Sequence, residues 1–137
     1  MHDLIKNTIK TMIRRYGTAD PPFVIAEKLN IDVRWVNFGE RPFGKTFYDE
    51  HAPPVVMLNK SLKYKPQRYF TLAHEIGHVV MHADLNGYYT GRLSYGPLEL
   101  QASEFASGLL ALLYVEENGV GPEYRSDLVH AYGYPEE

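Results

Sequence analysis

The chain of 137 residues has the length of one domain (residues 1–137), and its formal charge of −3 carries no basic block or stripe, which argues against direct nucleic-acid binding. The absence of cysteine excludes disulfides and thiolate zinc sites and fits a reducing cytosol. No apolar run approaches the ~20 residues of a membrane span, and Met1 to Lys10 reads as an amphipathic start rather than a signal peptide, so a cytoplasmic protein with no membrane partner is expected.

Leu4, Ile5, Ile9, Met12, Ile13 and Tyr16 recur at helical spacing, and Gly17 suits the stop. Asp20 is placed to cap a second helix that opens at Pro21 and runs to about Leu29, with Asn30 at its end. Ile31, Val33 and Trp35 alternate with Asp32 and Arg34, the pattern of a half-buried strand. Arg41 to Gly44 reads as a turn. Lys45 to Tyr48 and Val55 to Leu58 read as two more short strands. A helix from about Pro66 follows, then a loop from Ala83 to Gly96, then a second helix from Pro97 to about Tyr114. Pro122 opens a last short helix to Tyr132. Helix, helix, small sheet and further helices make an α+β domain.

The chemistry concentrates in His74-Glu75-Ile76-Gly77-His78, an H-E-x-x-H pattern. On a helix this spacing puts both imidazoles on one face, one turn apart, as half of a tetrahedral zinc site. Glu75 lies beside the first ligand, where its carboxylate reaches a metal-bound water without binding the metal, the arrangement of metal-assisted hydrolysis. Phe70, Ala73, Ile76, Gly77, Val79, Val80 and Met81 make the helix apolar on most sides, and a buried charge such as Glu75 needs a partner. Gly77 costs about 1 kcal/mol against alanine in a helix interior, so a neighbouring backbone or the metal needs the room. With no cysteine, the third ligand is His, Asp or Glu. Glu99, 21 residues after His78, borders the inward stripe of Leu98, Ala102, Phe105, Ala106 and Leu109. Glu104 is the runner-up; it lies roughly 140° from Glu99 around the helix, so both cannot face one metal.

Arg68 to His82, followed by Leu98 to Leu110, resembles the ImmA/IrrE family of zinc metallopeptidases. That family carries R-F-T-x-A-H-E-x-G-H-x-x-x-H and then E-x-E-A-[ND]-x-F-A-x-x-L-L. Looser similarity runs upstream through Tyr16-Gly17-Thr18, Asp20-Pro21 and Ile25 to Ile31. The resemblance implies a small zincin-like fold, with a short, mostly antiparallel sheet packed on the H-E-x-x-H helix. It implies a zinc-dependent endopeptidase that cleaves a helix-turn-helix repressor, in the control of prophages, other mobile elements or stress responses. His74, His78 and Glu99 match the metal ligands and Glu75 the general base. Zn²⁺ is the expected ion, with Mn²⁺ or Fe²⁺ also compatible with His₂Glu. Three positions depart from the pattern. Ser103 stands where Asn or Asp is frequent, Gln101 replaces a frequent Glu, and Leu110-Ala111-Leu112-Leu113 replaces an L-L-M-P ending. The first two weaken the groups expected to support the ligands.

An extended substrate commonly pairs with an exposed sheet edge in such enzymes. Val55 to Leu58 is a candidate for that edge and equally for an ordinary interior strand. Tyr88, Tyr89 and Tyr95, in the loop between ligands, are candidates for oxyanion stabilisation, against ordinary packing or surface roles. His82, one turn after His78, reads first as a surface or helix-terminal histidine. Two other classes compete. One is a zinc-bound module that regulates a repressor by binding alone, disfavoured by the intact Glu75. The other is a DNA-binding protein, since Val24 to Ile31 resembles the first helix of a helix-turn-helix; a β-like Asp32 to Val36 follows where a recognition helix should stand.

Overall fold

The computed structural model describes residues 3–17, 19–82 and 96–136. The element order is α1 (Asp3–Tyr16), α2 (Pro22–Lys28), β1 (Asp32–Val36), β2 (Gly44–Asp49), β3 (Ala52–Asn59), a 3₁₀ turn (Lys60–Leu62), α3 (Gln67–His82), α4 (Pro97–Asn118) and α5 (Arg125–Tyr132). This is the α+β order read from the sequence.

Helix α1 buries Ile5, Ile9 and Met12, and ends where Gly17, at φ +86°, donates its N–H to the Ile13 carbonyl. Asp20 does not cap α2. Pro21 takes that place, and its carbonyl accepts from the N–H groups of Val24 and Ile25. Asp20 instead pairs with Lys28 at 2.6 Å, a partner that only the folded helix brings within reach. Strand β1 follows where a recognition helix would have to lie.

The three strands form one mixed sheet in the order β1-β3-β2. β3 runs parallel to β1, with Asp32 opposite Val55 and Val36 opposite Asn59, and antiparallel to β2, with Gly44 opposite Leu58. The sheet is therefore one parallel and one antiparallel pair, not mostly antiparallel. β3 is the interior strand, which removes Val55 to Leu58 as the open edge. The reason is compositional: Val55-Val56-Met57-Leu58 is an unbroken apolar run suited to cover on both faces, and Val56 and Leu58 are fully buried. β1 and β2 carry Asp32, Arg34, Lys45 and Asp49 and make the edges. The buried Asn59 side chain donates to the carbonyls of Gly39 and Pro42, which fixes the turn leading into β2.

Helix α3 is the central element, packed against α2, α4, α5, β2 and β3. Leu72, Ala73 and Ile76 meet Phe105, Ala106, Leu109 and Leu110 of α4 in the core, with Ile5 and Leu58 beside them. Gly77 lets the two helices close. A Cβ there would lie 3.0 Å from Phe105 Cδ1 and 3.3 Å from Ala102 Cα, so it is a neighbouring backbone that needs the room. α4 runs on to Asn118 and stops at Gly119 in the left-handed region. α5 begins at Arg125 rather than Pro122, because Asp127 accepts from the N–H groups of Glu123 and Tyr124 and fixes the first turn there. Among the described residues, no helix is long and apolar enough to cross a membrane.

Candidate metal centre

The helical spacing of α3 sets His74 and His78 side by side, with ring centroids 4.9 Å apart and planes at 80°. The close approach at Gly77 brings the first turn of α4 over them. Glu99 then spans both rings: its Oε2 lies 2.9 Å from His74 Nε2 and its Oε1 lies 2.9 Å from His78 Nε2. Donor atoms of the three residues all lie within 4.8 Å of one another. Glu104 is not part of this group, as its helical phase requires.

A second layer holds the rings from behind. His74 Nδ1 and Ser103 Oγ share a hydrogen bond of 3.0 Å, so the shorter side chain at 103 still reaches its ring. His82 is not a surface residue. It is 1% exposed, its Nδ1 lies 2.9 Å from His78 Nδ1, and its Nε2 lies 2.8 Å from Gln101 Oε1. Burial disfavours its charged form and outweighs the Gln101 contact, so its pKa is lowered. The sequence carried one signal for this: His82 continues the four-residue spacing of His74 and His78 along the same helix face.

Glu75 is 7% exposed, and its buried charge has the partner it needs. Thr46 on β2 donates from Oγ1 to Glu75 Oε1 at 2.7 Å. Gly44, two residues earlier, keeps the strand against α3: a Cβ there would lie 2.8 Å from Thr71 Cγ2 and 3.2 Å from Glu75 Cγ. Tyr48, two residues later on the same face, has its pKa raised by burial and then by the charge of Glu75. None of these β2 residues stood out in the sequence. The available signal was the alternation of Gly44, Thr46 and Tyr48 with exposed Lys45, Phe47 and Asp49. Tyr88, Tyr89 and Tyr95 lie outside the described residues.

The three groups of the cluster shift one another's ionisation. Burial pushes the Glu99 carboxyl up, but its contacts with His74 and His78 outweigh this and hold it down to about 2. Burial lowers the His74 pKa, and the contact with Glu99 and the charges of Glu75 and Glu99 raise it further than burial lowers it. An ionised carboxylate only accepts hydrogen bonds, and two imidazole nitrogens face it. Each ring nitrogen can donate an N–H to this carboxylate, or the three groups together can hold a metal ion. Two imidazole nitrogens and one carboxylate oxygen are a donor set that fits a divalent ion of the zinc type, with a coordination position left open.

Residues 26–130 match the model of the Peptidase_M78 family, described as the IrrE N-terminal-like domain. The chain is also 28% identical over 129 residues to "Uncharacterized immunity region protein 2" of Bacillus phage phi105, an alignment covering 92% of this chain and 80% of that protein. The family match starts within α2, ends within α5 and encloses His74, Glu75, His78 and Glu99: the chain belongs to peptidase family M78, the ImmA/IrrE family.

Proposed function

We propose that this protein is a zinc-dependent endopeptidase that cleaves a helix-turn-helix repressor in the cytoplasm. The observation that carries the reading is the placement of Glu75. It is a buried carboxylate between two convergent histidines, tethered by Thr46 and not among the three converging donors. A purely structural metal site has no use for such a base and usually closes with four protein ligands.

His74, His78 and Glu99 would hold the ion, which supplies Lewis acidity and a water that ionises near neutral pH. Glu75 takes the proton from the water that attacks the peptide carbonyl and delivers it to the leaving amine nitrogen. Thr46 occupies Oε1 and so aims the carboxylate. Ser103 and His82 orient the two rings. β2, an edge strand with no further strand partner among the described residues and the one that carries Thr46, is the strand we assign to pair with an extended substrate. Family membership and the phage relative, whose name associates that protein with an immunity region, support a repressor as the substrate.

The test is co-expression of a helix-turn-helix repressor encoded beside this chain with wild type or with Glu75→Gln, read by mass spectrometry. Fragments with wild type alone are expected, because Glu75→Gln keeps the metal ligands and removes the base. Cleavage that survives in Glu75→Gln overturns the assignment of the base. An intact repressor that co-purifies with the metal-loaded protein moves the reading to a module that regulates by binding.

A further inference from the structure

We propose that the tyrosine-walled cavity at the C-terminal end of α4 binds a basic side chain, lysine or arginine, of a partner polypeptide. The cavity has a volume of about 570 Å³ and lies where the start of α3, the end of α4 and α5 meet. Glu99 stands in the first turn of α4 and Glu117 in the last, at opposite ends of a 22-residue helix roughly 30 Å long, so the cavity is separate from the metal centre. Three tyrosines line it. Tyr132 stands perpendicular to Tyr69 and to Tyr114, at interplanar angles of 86° and 90°, with centroids 6.3 Å apart in each pair. Tyr132 is buried and the other two are half-buried, and the attraction of a ring for a cation grows as water is excluded. The chain already uses Tyr69 in this way: the Arg68 guanidinium lies 4.2 Å from its centroid.

Two carboxylates supply the opposite charge. Glu117 Oε1 accepts from the Tyr132 hydroxyl, and Asp127 Oδ2 accepts from the N–H groups of Glu123 and Tyr124. Neither carboxylate has a cationic partner among the described residues. The two arginines close by in sequence are turned to other groups: Arg68 donates to the Lys65 carbonyl and Arg125 to the Pro135 carbonyl. Apart from His130, none of the described side chains lining the cavity can carry a positive charge. Tyrosine walls with carboxylates that no cation neutralises fit an ammonium or guanidinium head whose apolar stem lies along the rings. The surroundings favour a polypeptide over a free cation. Val120 and Tyr124, in the segment between Glu117 and Asp127, are 67% and 65% exposed, and the chain around a bound basic residue would cover them.

The experiment titrates the ¹⁵N-labelled full chain at low salt with acetyl-leucyl-arginyl-leucine amide, with its citrulline counterpart and with acetyl-arginine amide, and follows the backbone amide shifts. Citrulline keeps the shape of arginine and lacks its charge. The arginine tripeptide is expected to shift Tyr114, Ala131 and Tyr132 saturably, with a dissociation constant on the order of 1 mM, and salt should weaken it. Glu117→Gln keeps an acceptor for Tyr132 and removes the charge; it is expected to weaken binding about 3-fold. Tyr114→Leu is expected to weaken it about 5-fold. Equal shifts from the citrulline peptide, no saturable shift up to about 10 mM, or unchanged affinity in Glu117→Gln would each overturn the proposal. Shifts confined to the neighbourhood of His74 would place the peptide at the metal centre and overturn it as well. Acetyl-arginine amide binding as tightly as the tripeptide would assign the cavity to a small free cation and overturn the polypeptide as its occupant.

Discussion

Glu75 illustrates how much a single side chain depends on a neighbour remote in sequence. Its Oε1 is engaged by the Thr46 hydroxyl, 29 residues upstream, on a different secondary structure. Thr46→Val keeps the shape of the side chain and removes the donor. A buried carboxylate that loses a hydrogen bond also loses its fixed orientation, and general-base efficiency follows orientation. Thr46→Val is therefore expected to lower kcat on the order of 10-fold with little change in KM, measured on a cleavable repressor or peptide. A variant whose KM rises while kcat holds would show that Thr46 contacts substrate instead. At this scale the sequence was readable where chemistry imposes a fixed spacing: the three residues that converge, His74, His78 and Glu99, could be named from it. Thr46, Ser103, His82 and Gln101 gain their meaning only from tertiary proximity, and a threonine on a strand carries no local mark of what lies opposite.

Among elements, the pairing of α3 with α4 decides the site, because one helix holds two of the candidate ligands and the other holds the third. Gly77 sets their separation. Alanine would gain about 1 kcal/mol of helix propensity there, yet its methyl would press on the buried Phe105 ring and on the Ala102 backbone. Overpacking of this kind costs about 1–3 kcal/mol. Gly77→Ala is expected to lower the melting temperature and, more tellingly, to weaken Zn²⁺ binding by shifting Glu99 away from the two rings. Unchanged affinity in a folded Gly77→Ala would mean that α4 has room to yield. The helices were legible from their periodicity, as was the alternation of β1 and β2. Strand order was not, since it depends on pairing between distant segments; the unbroken apolar run in β3 was the clue to an interior position. The end of α4 at Asn118 was missed because no breaker precedes Gly119. Asp20 illustrates the opposite error, a good capping residue drawn off by a lysine two helical turns away.

For the molecule as a whole, the metal and the pH act on one stability curve. With a chelator present, Glu99 is depressed to about 2 from 4.5, so its contribution is complete above 4.5 and is lost as pH falls towards about 2. His74 is raised above 6.5, so its contribution is complete below 6.5 and is lost as pH rises through its folded value. The melting temperature of the chelated protein should accordingly be highest between these ranges and decline on both sides. Zn²⁺ should abolish the alkaline decline, because neutral imidazole is the binding form. At about 1,000 times its dissociation constant the ion adds about 4 kcal/mol, a rise on the order of 10 °C for a chain of this size. Thermal melts across pH, with chelator and with Zn²⁺, check both statements; a chelated protein that gains stability at alkaline pH would contradict the first.

The hydroxyl of Thr46 has one more consequence. Its strand is bonded to β3 along one side and has no strand partner along the other among the described residues, so on the proposed function the segment tugged by an incoming polypeptide would also be the one that steers the proton acceptor. Grip and reactivity then share a mechanical link. A chain that seats fully along β2 would leave the acceptor well aimed, and a poorly seated one would disturb it. Selectivity in such a protease would be written in turnover rather than in binding, so that a decoy peptide can be held and still survive.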